Sequence, residues 1–293
     1  MEIFGNARIT PDILAHLRTW EGRSETIEEP ATAAPVRALA ATLDCDETSS
    51  AYGANLPALW HWLYFLPRSS QREIGVDGHP KLGGFLPPVP LPRRMWAGGR
   101  LQWHAALRVG DALQRTTRIV AVTHKAGRSG DLVFLLLRHE LSSGGKLLLI
   151  EEQDIVYRAP AQPGDPVPPP QAAPTDAIWS RKVVPDPVLL FRFSALTFNA
   201  HRIHYDRPYA TGVEGYPGLV VHGPLLATLL ADLARRERPD ARVTGFSFRA
   251  VRPTSDQHPF RVCGMPTPDG RGARLWAQDH EGWLTMQADI EFE

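Results

Sequence analysis

The stretch Phe191–Arg236 reads FRFSALTFNAHRIHYDRPYATGVEGYPGLVVHGPLLATLLADLARR. Asn199, His201, His204 and Asp206 fall within its first part, and an apolar run follows in which Leu225, Leu226, Leu229, Leu230 and Leu233 recur at helical spacing. That helix is approached through His222-Gly223-Pro224, with the proline at a first-turn position. The first N–H groups of a helix have no intrahelical acceptors, and the macrodipole adds positive potential there. A carbonyl oxygen set against them is stabilised as it becomes an enolate. Gly223 lets a ligand approach the backbone closely. An asparagine offers an uncharged acceptor and donor, and a histidine takes and returns a proton near neutral pH. The stretch therefore predicts acid/base work on a carbonyl compound.

Plainer readings compete with this one. A loop histidine is usually structural, and an asparagine before a turn is usually a local cap. A metal site from His201, His204 and His222 matches no standard zinc spacing, so no metal is expected. Glu214, the carboxylate nearest the helix start, is expected to be solvated, though a hydrolase would need it.

Working outward, residues 7–20 predict a short helix starting at Thr10-Pro11-Asp12, and Pro35–Leu43 a second. Leu56–Leu66 (LPALWHWLYFL) predicts a third, and the Gly/Pro-rich residues 75–100 predict a loop. Period-two alternation then begins over Leu101–Leu107 and Gln114–His124. Asp131–Ser142 and Lys146–Arg158 flank Gly144-Gly145, a hairpin signal. Downstream, Val188–Phe193, Arg242–Arg252, Pro259–Gly264, Arg274–Asp279 and Gly282–Phe292 read as strands. Trp103 and Gly110-Asp111 match Phe248 and Ser255-Asp256 at an offset of 145, and Asp154-Ile155 matches Asp289-Ile290 at 135. A duplicated unit follows, its second hairpin ten residues shorter. Strands after helices without βαβ alternation predict an α+β layer. Ala159–Pro174 holds seven prolines in sixteen residues and predicts a linker. We expect an upstream unit over 1–160, a joint over 161–178 and a downstream unit over 179–293.

Lys+Arg and Asp+Glu are both 32, so no net field favours nucleic acid or an anionic membrane. Arginine dominates, 28 to 4 over lysine, which supplies planar forks for phosphate or carboxylate. Cys45 and Cys263 make no metal or disulfide pattern and suit a reducing compartment. MEIFGNARITPDILAHL has no leader-peptide pattern and no stretch is apolar enough to span a bilayer, so the expected setting is cytoplasmic.

The runs N-A-H-R-I-H-Y-D and Y-P-G-L-V-V-H-G resemble the MaoC-like hydratases of the hot-dog class. W-E-G-R-S-E at 20–25, P-R-R-M-W-A-G-G at 92–99, G-R-S-G-D-L-V-F at 127–134, E-E-Q-D-I-V-Y-R at 151–158 and F-R-A-V-R-P at 248–253 point to its double-hot-dog branch. The resemblance implies two sheets, each wrapped on a central helix, with the upstream half shaping the pocket and the downstream half carrying the chemistry. It implies reversible addition of water to a 2-enoyl-CoA thioester, CoA being part of the substrate and no cofactor being needed. His204 matches the family's catalytic histidine. Asn199 falls where the family motif has an aspartate, and His201 where it has an asparagine. Asn199 would then orient water or substrate, and His204 would move the proton alone or with Asp206. Gly223, preceded by His222, would face the thioester carbonyl. Arg93, Arg94, Arg202, Arg249 and Arg252 are candidates for CoA phosphates or a substrate carboxylate. A branched C5 dicarboxylyl-CoA is the expected substrate, with a fatty 3-hydroxyacyl thioester as alternative. A thioesterase and a non-catalytic acyl-CoA binder are the rival classes, and both a monomer and a homodimer are compatible.

Overall fold

A computed structural model describes residues 8–45, 47–127, 130–160 and 169–293. The first residues of the N-terminal stretch, Arg128-Ser129 of the 127–134 motif, and residues 161–168 of the expected joint lie outside them.

The upstream half runs α1 (Pro11–Arg18), β1 (Ser24–Pro30), α2 (Ala33–Leu43), β2 (Arg93–Trp103), β3 (Ala112–Gly127), β4 (Gly130–Ser143) and β5 (Lys146–Arg158). The downstream half runs β6 (Trp179–Val183), α3 (Pro187–Leu196), α4 (Arg207–Gly212), α5 (Gly223–Glu237), β7 (Val243–Ala250), β8 (Phe260–Pro266), β9 (Gly272–Gln278) and β10 (Leu284–Phe292). The described strands form one antiparallel sheet in the order β1-β3-β4-β5-β2-β7-β10-β9-β8-β6. Read outward from the β2–β7 joint, the two sides repeat the same plan. Gly144 and Gly145 both adopt positive φ, 56° and 78°, as a two-residue hairpin of this hand requires.

Hydrogen bonds fix the register of the repeat. Leu56 N donates to Leu107 O, and Val221 N donates to Thr254 O, each at 2.8 Å, which sets the offset at 147 (254 less 107). Leu101 pairs with Glu151, and its counterpart Phe248 with Ala288, giving 137 (288 less 151). Both values sit two residues from those read in the sequence. A two-residue slip keeps every side chain on its own face, so the alternation could not reveal it. The ten-residue shortening (147 less 137) stands.

Three expected elements change. Leu56–Leu66 yields only one tight turn, Trp60–Leu63, because Leu59 (φ 70°) and Phe65 (φ 57°) leave the helical region on either side. That turn is held by buried polar contacts: Glu151 accepts from Trp62 Nε1 at 2.9 Å and pairs with His61 Nε2 at 2.9 Å. His61 therefore belongs to the interior of the upstream half. Val188–Phe193, expected as a strand, lies in α3, where Asp186 caps the N–H groups of Val188 and Leu189 and Pro187 opens the first turn. β2 begins at Arg93, inside the stretch expected to be a loop, and β1 and β6 were unannounced by any alternation.

The downstream half keeps its long helix. Leu225, Leu226, Leu229, Leu230 and Leu233 of α5 are all buried against β6, β8, β9 and β10. Each such leucine contributes about 1.5–3 kcal/mol by leaving water. Buried Asp232 on the same helix pairs with Arg181, Arg235 and Arg236, and Arg236 reaches the carbonyls of Leu43 and Asp44 at the end of α2. The helix end is thus tied to the upstream half.

The joint itself depends on two glycines. Gly98 pairs with Arg249 and Gly99 with Phe248. A Cβ at Gly98 would lie 2.5 Å from Phe248 O, and one at Gly99 2.9 Å from Glu152 O. At Gly98 the obstacle is β7 backbone, so the strands would have to part; at Gly99 it is β5 backbone on one side and the Phe248 ring, also 2.9 Å away, on the other. Gly98→Ala is expected to lower stability by about 1–3 kcal/mol. A denaturant midpoint equal to that of the parent would contradict this close approach.

Candidate active site

The segment 197–206 is locally wound. Asn199 N donates to Ser194 O at 2.8 Å as α3 ends, and Asn199 Oδ1 accepts from His201 N at 3.0 Å. Asn199 thus forms the local cap that competes with a water-holding role. A single helical turn, 202–204, then drops His204 into the interior. Its Nδ1 lies 2.7 Å from Val220 O. A carbonyl can only accept, so Nδ1 carries the proton and neutral His204 has its lone pair on Nε2.

His204 stacks on His222, with centroids 3.7 Å apart and planes within 19°. His222 precedes α5 directly, is wholly buried, and meets Ser194 Oγ through Nε2 at 2.8 Å. Pro224 has no N–H, so the donors left open at this helix start are those of Gly223 and Leu225. A Cβ added at Gly223 would meet nothing within 4 Å. Packing therefore does not demand this glycine, and open space lies beside its Cα. His204 thus lies one stacked ring away from the residue that opens α5.

Asp206 is placed differently. Its Oδ2 takes two bonds from Arg202, at 2.9 and 2.7 Å, and its Oδ1 caps Tyr209 N at 3.1 Å. The arginine contact and that backbone bond hold its carboxyl below the usual range. These bonds engage both oxygens in starting α4.

The expected arginines separate as well. Arg93 pairs with Glu214 through Nε at 3.2 Å and reaches the Glu214 carbonyl at 2.7 Å. Glu214, expected to be solvated, is largely buried in this pair. Arg249 is exposed and reaches Gln287, and Arg252 lies 3.5 Å from Asp279. Arg202 is committed to Asp206 and to Val76 O. Arg94 has no ion-pair partner among the described residues, and its charge acts on His79 and His201.

Asp77 and His79 were missed in the sequence. They sit in the Gly/Pro-rich loop of the upstream half, where His79 Nδ1 lies 2.8 Å from Asp77 Oδ2. The loop docks backbone to backbone on the histidine segment. Arg202 N donates to Asp77 O at 2.9 Å, and a Cβ at Gly78 would fall 1.7 Å from Ala200 O. Gly78 also has φ 92°, so only glycine fits. His79 and His201 then stand 4.1 Å apart between centroids, and His201 and His204 5.4 Å. The signal was D-G-H itself, an aspartate and histidine two apart around a glycine. What it would touch lies more than a hundred residues away. Asp77, His79 and His201 place one ligand atom each within 4.8 Å of one another, which is a different set from His201, His204 and His222.

Burial, with little charge to offset it, sets the protonation of the group. Burial pushes His204 down to about 4 and His201 to about 2, and holds His222 well below its usual value. Asp77 is held at about 2, burial being outweighed by its bonds from His79 and the neighbouring imidazoles.

This fold and this pairing of a histidine with a helix N-terminus define a hot-dog enzyme of the hydratase–dehydratase kind. Residues 59–256 match the hydroxyacyl-thioester dehydratase type 2 family, and the chain belongs to it. It is 49% identical over 277 residues to the mesaconyl-C(4)-CoA hydratase of Chloroflexus aurantiacus, covering 93% of this chain and 96% of that one. It is 28% identical to the mitochondrial hydroxyacyl-thioester dehydratase type 2 of Schizosaccharomyces pombe, over 70% and 76% of the two chains. A Mycobacterium tuberculosis protein with a double hotdog fold superposes with a TM-score of 0.58 at 14% identity, covering 93% and 96%. The chain is therefore a double hot-dog protein and a carbon–oxygen lyase. Among the described residues no helix is long and apolar enough to cross a membrane.

Neutral burial has a thermodynamic consequence. In the unfolded chain a histidine titrates near ~6.5, whereas His204 and buried His139 are held at about 4 in the fold. The unfolded state then binds more protons, so stability falls as pH drops from about 6.5 towards about 4. Glu151, held at about 2, loses its stabilising pair in the same direction at lower pH. Urea midpoints should fall between about pH 7 and about pH 5. A flat profile over that interval would contradict neutral burial.

Proposed function

We propose that the protein adds water reversibly across the double bond of a 2-enoyl-CoA thioester. The observation that carries this reading is His204, neutral with its proton fixed on Nδ1 by Val220 O and stacked against the residue that opens α5. The thioester oxygen accepts from the Gly223 and Leu225 N–H groups. A water that accepts from Asn199 Nδ2, while Oδ1 keeps its bond from His201 N, gives its proton to His204 Nε2, and its oxygen bonds to the β-carbon. The π electrons move to the enolate, whose charge the helix donors stabilise. The α-carbon then takes the proton back from His204, so the net change is addition of H and OH. These steps call for no cofactor, and CoA enters as part of the substrate.

A branched C5 dicarboxylyl-CoA of the mesaconyl-C4-CoA type is the substrate we favour. The likeness to the Chloroflexus hydratase supports it, and Arg94 offers a guanidinium fork for the second carboxylate. Trp62, Trp96 and Phe248, which could have lined a tunnel for a long acyl chain, pack on one another at 5.0–6.1 Å instead. Glu214 is neutralised by Arg93, which weighs against the carboxylate attack of a thioesterase. On this reading residues 1–160 shape the pocket, 161–178 join the halves, and 179–293 carry His204 and the oxygen-binding helix.

The test is loss of enoyl-thioester absorbance over crotonyl-, long-chain enoyl-, mesaconyl- and itaconyl-CoA. The branched dicarboxylyl thioesters should react fastest, without release of free thiol. His204→Ala should lower kcat by roughly 10²–10⁴. A folded variant with unchanged kcat would remove His204 from the mechanism.

A further inference from the structure

The segment 199–206 holds one carboxylate, Asp206, and both of its oxygens are spent on Arg202 and Tyr209 N. Four imidazoles nevertheless follow one another from His79 through His201 and His204 to His222, with centroids 4.1, 5.4 and 3.7 Å apart. Burial opposes a positive charge formed anywhere in that row, neighbouring rings add to it at His201, His204 and His222, and Arg94 adds to it at His79 and His201. Among the described residues one carboxylate, Asp77, touches the row. Resting on the reading of His204 as proton carrier, we propose that Asp77 is the counter-charge of the site, a positioning residue delivered by the upstream half.

The geometry gives Asp77 two tasks. Its Oδ2 accepts from His79 Nδ1–H at 2.8 Å, which fixes the tautomer of His79 and turns its lone pair to Nε2. Its charge lies close enough to His201 to favour the protonated ring, and among the described residues no other anion acts so on His79 or His201. When water gives its proton to His204 and its oxygen bonds to the β-carbon, the imidazolium formed is stabilised along this row. When the α-carbon recovers the proton, Asp77 is unchanged. The groups facing Asp77 are His79 on its own loop, His201 across from it, and Tyr209 on α4, with Arg94 on β2 acting on both histidines. Gly78, whose φ and contact with Ala200 O admit no side chain, sets the loop where this is possible.

The test compares Asp77→Asn and Asp77→Glu in the full chain. Asp77→Asn should lower kcat roughly 10- to 100-fold with KM within about threefold, a size expected of general acid–base tuning. It should also move the acidic limb of kcat/KM to lower pH, because removing the anion makes the imidazoles less basic. Asp77→Glu should restore most of both. Imidazole nitrogen NMR gives a readout that needs no substrate: the His79 and His201 titrations should move down in Asp77→Asn. An active Asp77→Asn enzyme with unmoved limb and unmoved titrations overturns the counter-charge. Activity of the parent that is lost to a chelator and restored by a divalent cation overturns it in favour of a metal held by Asp77, His79 and His201. If the titrations move while the parent hydrates none of the thioesters, the counter-charge stands and the hydratase reading falls.

Discussion

The close approach of β2 and β7 at Gly98 and Gly99 is the constraint on which the rest depends. Without side chains there, the two halves share one sheet instead of packing as separate layers. The sheet carries the upstream loop across to the downstream histidines, where Gly78 can meet Ala200 O. A site built from Asp77, His79, His201, His204 and the start of α5 exists only because that joint is tight.

The two halves then divide their resources. Downstream, an apolar helix packs on the sheet and leaves N–H groups without intrahelical acceptors where it starts, at Gly223. Upstream, the corresponding segment stops after a single turn, and a buried Glu151–His61 pair holds it in place of a leucine face. A half that has no long helix cannot offer the same oxygen-binding donors. It contributes instead through the loop that follows, which supplies a carboxylate and an imidazole.

Much of this was legible in the sequence where local rules act. The Gly144-Gly145 hairpin, the α5 leucines and the strands around them follow from turn chemistry and period, and the motif around His204 carried the family. What stayed hidden depends on contacts across the chain. The helix expected at Leu56–Leu66 has the composition of one, but left-handed residues Leu59 and Phe65 interrupt it. Val188–Phe193 has the composition of a strand, but the Asp186 cap and Pro187 start a helix. The repeat was read two residues out of register, an error to which alternation is blind. Asp77 and His79 were overlooked because a Gly/Pro-rich loop gives no period, and their partners lie in the other half.

The central claim is that water is added to carbon while the thioester stays whole. Turnover in heavy-oxygen water and deuterium oxide, followed by mass spectrometry of the product, tests it most directly. The account predicts one heavy oxygen in a hydroxyl on the β-carbon, one deuteron on the α-carbon, and an intact CoA thioester. Heavy oxygen in the carboxylate of a released free acid, with free CoA beside it, would contradict it.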